Sequence, residues 1–208
     1  MKALLVASGL APHRGLFLRA VRDADLTIAI DGGLRIFQEY GVTPHLIVGD
    51  MDSVDAGLLE SYREKSILVT APAEKNETDT ALAVDEAVER GADQILLLGA
   101  TGGRIDHLLS NLMLLKYAMN KGAILTMEDD EQEISLHRGT FDLFGNEGQT
   151  ISIIPMNKQA VVTARGLYYP LDRLVLTNEK PRGVSNVFQK KHAVIESDDF
   201  VFICKDKQ

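Results

Sequence analysis

Cysteine is almost missing from these 208 residues: Cys204 stands alone, so no intramolecular disulfide can form and no thiolate cluster exists to hold zinc. The histidines offer no substitute, because His13, His45, His137 and His192 lack metal-ligand spacing. Long apolar runs are missing too. No stretch approaches the roughly 20 residues needed to cross a bilayer, which excludes a membrane-spanning helix. The opening segment, Met1-Lys2-Ala3-Leu4-Leu5-Val6-Ala7-Ser8, has too short an apolar core for a secretory signal. With the unpaired cysteine, this predicts a reducing, cytoplasmic location. Positive charge is in deficit: 22 Lys and Arg against 30 Asp and Glu leave a net charge of −8. Nonspecific binding to nucleic acid or to an anionic membrane is therefore not expected, and an anionic substrate would need a metal or local cations.

What is present is enough to fold. Hydrophobic residues make up 45% and charged residues 25%, ordinary for a globular chain, and the length suits one large domain or two modest ones. Through the first 130 residues, short apolar runs at Ala3–Ala7, Leu26–Ile30, His45–Val48, Ile67–Thr70, Ile95–Leu98 and Ala123–Met127 read as strands with helices between them. The clearest helix opens at Thr78, where Thr78 and Asp79 offer capping oxygens. It carries Ala81, Val84, Ala87 and Val88 on one face and Asp85, Glu86 and Glu89 on the other, and ends at Gly91. A second spans about Asp106 to Asn120, with Leu108, Leu112, Leu115 and Met119 at three-to-four spacing. This alternation predicts a mostly parallel, helix-covered α/β sheet.

The rhythm changes near Glu128-Asp129-Asp130-Glu131. Beyond it, Gln149–Ile154, Ala160–Ala164, His192–Glu196 and Phe200–Cys204 read as short strands separated by Gly139-Thr140, Gly145-Asn146-Glu147-Gly148, Asn157-Lys158 and Ser197-Asp198-Asp199. A small antiparallel β-sandwich is expected over 131–208, after an α/β domain over 1–130. Gly166-Leu167-Tyr168-Tyr169-Pro170-Leu171 and Gly183-Val184-Ser185-Asn186 are its irregular loops, candidates for function.

Chemistry-bearing residues gather after the strands, where open α/β sheets bind ligands. In Gly49-Asp50-Met51-Asp52-Ser53, the alternation of an extended chain would point Asp50 and Asp52 the same way, crowding two negative charges unless a cation lies between them. A hard divalent metal is the natural candidate, though a polar turn capping the next helix is the simpler account. An EF-hand is excluded, since Val54 stands where an oxygen ligand is needed. Asp79 is equally an N-cap or a ligand by itself and gains weight from its place beside the other acids. Asp31-Gly32-Gly33 and Thr101-Gly102-Gly103-Arg104 offer flexible backbone, amides and a guanidinium suited to phosphate oxygens, without the Gly-Lys-Ser/Thr of a Walker loop. Lys75 and Arg14 are further candidate phosphate partners, though a solvated surface charge is the default for each. His107, beside Asp106, points elsewhere on a helix and is assigned no catalytic role. Ser185 lacks a nucleophile-elbow context, so a hydrogen-bonding role with Asn186 fits better.

Taken in order, Asp31-Gly32-Gly33, Gly49-Asp50-Met51-Asp52-Ser53, Lys75-Asn76-Glu77-Thr78-Asp79, Gly102-Gly103-Arg104-Ile105-Asp106-His107 and Gly183-Val184-Ser185-Asn186 resemble the motif series of the thiamine pyrophosphokinases, over nearly the whole chain. The resemblance implies transfer of the terminal diphosphate of ATP to the hydroxyethyl group of thiamine, giving thiamine diphosphate and AMP with magnesium, in a homodimer with shared active sites. It further implies that Asp50, Asp52 and Asp79 hold magnesium and that Asp31 and Asp106 organise the catalytic site. Lys75, Thr78, Gly102, Gly103 and Arg104 would meet ATP and its phosphates, and Ser185 and Asn186 would bind thiamine across the dimer. Two positions depart from the family pattern: Asn76 replaces a frequent Asp, and Val187 replaces a common Glu.

Two rival readings are distinguishable. Asp50-Met51-Asp52-Ser53-Val54 also resembles the nucleophile motif of haloacid-dehalogenase-like phosphatases, in which Asp50 would be phosphorylated, but that motif usually follows the first strand and here two strand-helix units precede it. A non-catalytic nucleotide-binding module would use the same acids and glycines without turnover.

Overall fold

The computed structural model describes residues 1–51, 54–70 and 77–207, and the chain divides into two compact units, Met1–Asp130 and Glu131–Gln208. The first unit alternates strand and helix: β1 (Lys2–Val6), α1 (Arg14–Asp23), β2 (Leu26–Ile30), a 3-10 turn (Asp31–Gly33), α2 (Leu34–Glu39), β3 (Leu46–Gly49) and α3 (Ala56–Tyr62). There follow β4 (Ile67–Thr70), α4 (Asp79–Glu89), β5 (Gln94–Leu98), α5 (Ile105–Asn120) and β6 (Ile124–Glu128). β2 and β3 are buried at every residue, as continuous apolar strands must be when helices cover both faces of a parallel sheet.

The strand order is β6-β5-β1-β2-β3-β4, and every neighbouring pair is parallel. The chain winds outward from β1 to β4, then returns to place β5 on the other side of β1. That reversal opens a crevice at the carboxyl ends of β1 and β5, the place where such sheets take ligands. Alternate residues Leu4, Val6, Ala29 and Ile47 pack with Phe17 of α1, Phe37 of α2 and Leu58 of α3. Phe17 meets Phe37 edge-on, with ring centroids 5.1 Å apart. α4 lies against β1, β2 and β3 and buries Ala81, Ala83, Val84 and Ala87, small residues that bring the helix close to the sheet.

Two helix faces differ from the periodicity. Asp85, expected on the outer face of α4, accepts a 2.8 Å hydrogen bond from the Tyr117 hydroxyl and pairs with Lys121 Nζ at 2.7 Å, tying α4 to α5. In α5 the buried arc runs through Asn111, Leu114, Leu115 and Ala118, while Leu108, Leu112 and Met119 flank it at partial burial. The helix turns Asn111 inward because its side-chain amide donates to the Ala100 carbonyl at 3.1 Å.

The second unit is antiparallel: β7 (Gln132–Phe144), β8 (Thr150–Pro155), β9 (Gln159–Arg165), β10 (Leu171–Thr177), β11 (Asn186–Val187) and β12 (His192–Asp206). β12 pairs with β7 along its length, with β9 through Val194–Ser197 and with β8 through Val201–Lys205. Alternating residues from β8, β9 and β12, including Ile151, Ile153, Val162, Ala164, Ile195, Val201 and Ile203, form its core. The two strands expected at His192–Glu196 and Phe200–Cys204 are one continuous strand, and Ser197-Asp198-Asp199 is no turn but leads into a bulge between Ser197 and Val201. Gly139-Thr140 likewise lies within β7, paired with Ser197 and Glu196 beside that bulge, with Gly139 at φ +83°. Turn-forming residues are compatible with a strand at a bulge because side-chain hydrogen bonds replace lost ladder bonds. Asp198 accepts the Val161 N–H at 2.8 Å, and Asp199 accepts its neighbour Phe200 N–H at 2.8 Å. Among the described residues, no helix is long and apolar enough to cross a membrane.

Candidate active site

The parallel register Ile30↔Val48 sets the ends of β2 and β3 side by side, so Asp31 and Gly49 emerge next to each other. Gly49 has φ +146°, and a Cβ there would fall 1.7 Å from Asp31 Oδ1. The Asp31 carboxyl occupies the space that any other residue at 49 would need. Asp31 itself stands at φ +45°, in the left-handed region that Asp tolerates better than most residues. Asp50 follows and is exposed, and Met51 turns to φ +63°. The strand therefore ends at Gly49, and the extended alternation invoked to align Asp50 with Asp52 does not continue through Met51. Asp52 lies outside the described residues.

A cleft of about 420 Å³ opens at the reversal of winding. Ala7, Ser8 and Gly9 after β1, Asp31 after β2, and Gly99, Ala100, Gly102, Gly103 and Arg104 after β5 line it, facing Thr78, Asp79 and Thr80 at the start of α4. Thr78 caps α4 by accepting the Ala81 N–H at 3.2 Å, which places Asp79 in the helix's first turn, where a carboxylate suits the positive end of the helix dipole. Gly102 and Gly103 both hold positive φ, at +74° and +66°, a conformation that glycine adopts without strain. At the rim, Arg104 Nε donates to Asp106 Oδ1 at 3.1 Å and Nη2 to Oδ2 at 2.5 Å. That two-point grip holds the Asp106 carboxyl at about 2, well below the usual carboxylate range.

In the second unit, the loops 166–171 and 183–188 are stitched together. Asn186 is buried, and its Oδ1 accepts the Tyr169 N–H at 3.0 Å while its Nδ2 donates to the Tyr169 carbonyl at 2.8 Å. Ser185, at φ +58°, donates its backbone N–H to Ser152 Oγ at 3.0 Å. Tyr168 and Tyr169 stand 62% and 59% exposed with centroids 4.9 Å apart, a large aromatic surface held in place by a buried amide.

These two halves match known domains. Residues 17–127 match the family model "Thiamin pyrophosphokinase, catalytic domain", and residues 130–202 match "Thiamin pyrophosphokinase, vitamin B1 binding domain". The chain belongs to the thiamin pyrophosphokinase family. It is similar to the thiamine pyrophosphokinase of Bacillus subtilis, 31% identical over 170 residues and covering 77% of each chain. A Caenorhabditis elegans thiamin pyrophosphokinase is 25% identical over 191 residues, covering 84% of this chain and 76% of the relative. Among solved structures, a thiamin pyrophosphokinase family protein from Enterococcus faecalis superposes with a TM-score of 0.85 at 27% identity, covering 100% of both chains. The Bacillus subtilis enzyme shares the fold at a TM-score of 0.87 and 24% identity, again over 100% of both. Membership makes the chain an ATP-dependent diphosphokinase of thiamine, and the phosphatase reading of Asp50 is not favoured.

Within this family frame, the structure brings Asp31, Thr78, Asp79, Gly102, Gly103 and Arg104 to one cleft. Asp106 sits beside it, bound to Arg104, and Asp50 adjoins the Asp31–Gly49 contact. Lys75 and Asn76, like Asp52, lie outside the described residues. Among the described residues, no group of three or more His, Cys, Asp or Glu side chains is close enough to hold a metal ion. Arg14, at the exposed start of α1, is not among the residues lining the cleft, whereas His107 is. Sequence reasoning missed Ser8, Gly9 and Asn111 as cleft residues. The available signals were a Ser-Gly pair directly after the first strand and an asparagine on an apolar helix stripe.

Proposed function

We propose that the first unit binds ATP in the cleft and transfers its terminal diphosphate to the hydroxyethyl oxygen of thiamine, releasing AMP. The observation that carries this reading is the convergence of Asp31, Asp79, the Gly102-Gly103 turn and Arg104 at the winding reversal of the sheet. The glycine amides and the Arg104 guanidinium offer donors for phosphate oxygens. The acids cannot serve that purpose, since a bare carboxylate repels a triphosphate. Their hard oxygen donors suit magnesium, and Asp50, Asp52 and Asp79 are the residues that would hold it, with Asp31 organising the site beside them. When bound, magnesium neutralises charge on the phosphate oxygens. The chain's own task is alignment: fixing phosphorus and the attacking hydroxyl in line accounts for much of such a reaction's barrier, and no dedicated strong base is called for.

Thiamine recognition belongs in this reading to the second unit. Ser185 presents an exposed residue beside the Tyr168–Tyr169 surface, and Asn186 acts by holding that surface rather than by touching the vitamin. A cationic aromatic ring suits exposed tyrosine faces. The sites are shared between two copies of the chain in a homodimer, as the family resemblance implies. A cytoplasmic setting fits the lone Cys204, a half-buried thiol that burial and then Asp206 push upward, away from reactivity.

The test is coupled detection of AMP from purified protein with ATP, magnesium and thiamine. Asp79→Asn is expected to lower the rate by about a hundredfold or more with little change in melting temperature, because it removes a charge while Thr78 still caps α4. ATP binding without AMP release would favour the non-catalytic module. A wild-type rate in the variant would remove Asp79 from the machinery.

A further inference from the structure

The acidic run at the end of β6 is consumed in an unexpected way. Asp129 and Asp130 are adjacent, yet each reaches a different loop of the cleft. Asp129 Oδ2 accepts the Thr101 hydroxyl at 2.9 Å, gripping the β5–α5 loop one residue before Gly102. Asp130 accepts the His13 backbone N–H at 2.9 and 3.1 Å and meets its ring Nδ1 at 2.8 Å, gripping the end of the β1–α1 loop. The two gripped loops are bonded to each other as well: Gly9 N–H donates to the Gly99 carbonyl and Leu10 N–H to the Thr101 carbonyl, each at 2.7 Å. Ser8, Gly9, Gly99, Gly102 and Gly103 line the cleft from these same loops.

We infer that Asp129 and Asp130 are positioning residues for the nucleotide, holding Thr101 and His13 so that the two glycine loops keep the shape that receives phosphates. This rests on the ATP-binding reading of the cleft. Consecutive glycines at positive φ carry no side chains to anchor them, and ordering such a segment costs conformational entropy. A loop held beforehand has met that cost before ligand arrives, so the clamps act on nucleotide affinity. Neither carboxylate touches the reacting atoms in this account; each acts through the loop it holds.

The experiment compares Asp129→Ala, Thr101→Val and the double variant with the conservative Asp129→Asn and Thr101→Ser. ATP dissociation constants are measured by calorimetry and KM values for ATP and thiamine by AMP release. Loss of one hydrogen bond is expected to weaken ATP by about three- to tenfold in Asp129→Ala and in Thr101→Val. The double variant is expected to lose no more than either single one, because both remove the same bond. Asn and Ser keep an acceptor and a donor and should stay within about twofold of wild type. The thiamine KM should not move. Additive losses, equal losses for both substrates, failed rescue by Asn and Ser, or wild-type ATP affinity in Asp129→Ala would each overturn the positioning role alone. A wild-type chain that binds no ATP would overturn the functional reading and this role with it.

Discussion

Gly49 has no freedom of choice, because the carboxyl of Asp31 fills the space a side chain would take. Its legibility in sequence was partial: Gly49-Asp50 after an apolar strand marked a strand end, but nothing local indicated that the neighbour would be Asp31, nearly twenty positions away. Gly49→Ala combines a close contact at 1.7 Å with φ +146°. The backbone alone should cost about 1–3 kcal/mol, seen as a lower melting temperature, and displacement of Asp31 should depress AMP release further. A variant with wild-type stability would contradict the contact.

Arg104 and Asp106 behave as a pair at the same scale. The hydrogen bond from Arg104 is the main cause of the low Asp106 value, about 2, and the group is exposed. Because the folded value lies below the unfolded one, whatever the pair contributes is present above the unfolded carboxylate range and disappears as pH falls through about 2. The pair is therefore intact throughout the neutral range. Carboxyl-carbon NMR should find the Asp106 midpoint near 2, and Arg104→Gln should move it up toward the usual range. An unmoved midpoint would show that Arg104 is not the cause.

Among the elements, α4 was the most legible, since its cap, apolar stripe and terminal glycine are written between Thr78 and Gly91. The structure starts it at Asp79, with the Thr78 side chain on the Ala81 amide. Thr78→Ala should cost about 1 kcal/mol, or roughly 2–4 °C in melting temperature for a chain of this size, and Thr78→Ser should recover it. An unchanged melting temperature in the alanine variant would mean that the cap contributes nothing. The face of Asp85 was not legible. Three-to-four periodicity identifies one buried side of a helix, but a partner helix can claim a polar residue from the other side, as Tyr117 and Lys121 do. β12 was read as two strands for a related reason. Ser197-Asp198-Asp199 has turn chemistry, and only pairing with β7 on one edge and β8 and β9 on the other keeps the chain extended through the bulge.

At the scale of the whole molecule, the proposed dimer with shared sites makes a prediction that no single chain can satisfy. Asp79→Asn damages the nucleotide half and Ser185→Ala the thiamine half. Chains carrying one lesion each, mixed and allowed to exchange at limiting thiamine, should recover AMP release that neither shows alone, because one of the two sites in a mixed dimer escapes both lesions. Absence of recovery, with exchange verified by sedimentation of tagged chains, would place each complete site within one subunit.

The six strands of the first unit, the change of rhythm near residue 130 and the clustering of acids and glycines after strands were legible in the sequence alone, because hydrophobic period, caps and turn residues act over a few positions of chain. The tertiary structure decided which strand ends are neighbours, and with that the contact of Asp31 with Gly49, the grip of Asp129 on Thr101 and the locking of Tyr169 by Asn186. Those contacts join residues up to about thirty positions apart. Whether they meet depends on strand order and loop path, which emerge only when the whole sheet has closed around its core.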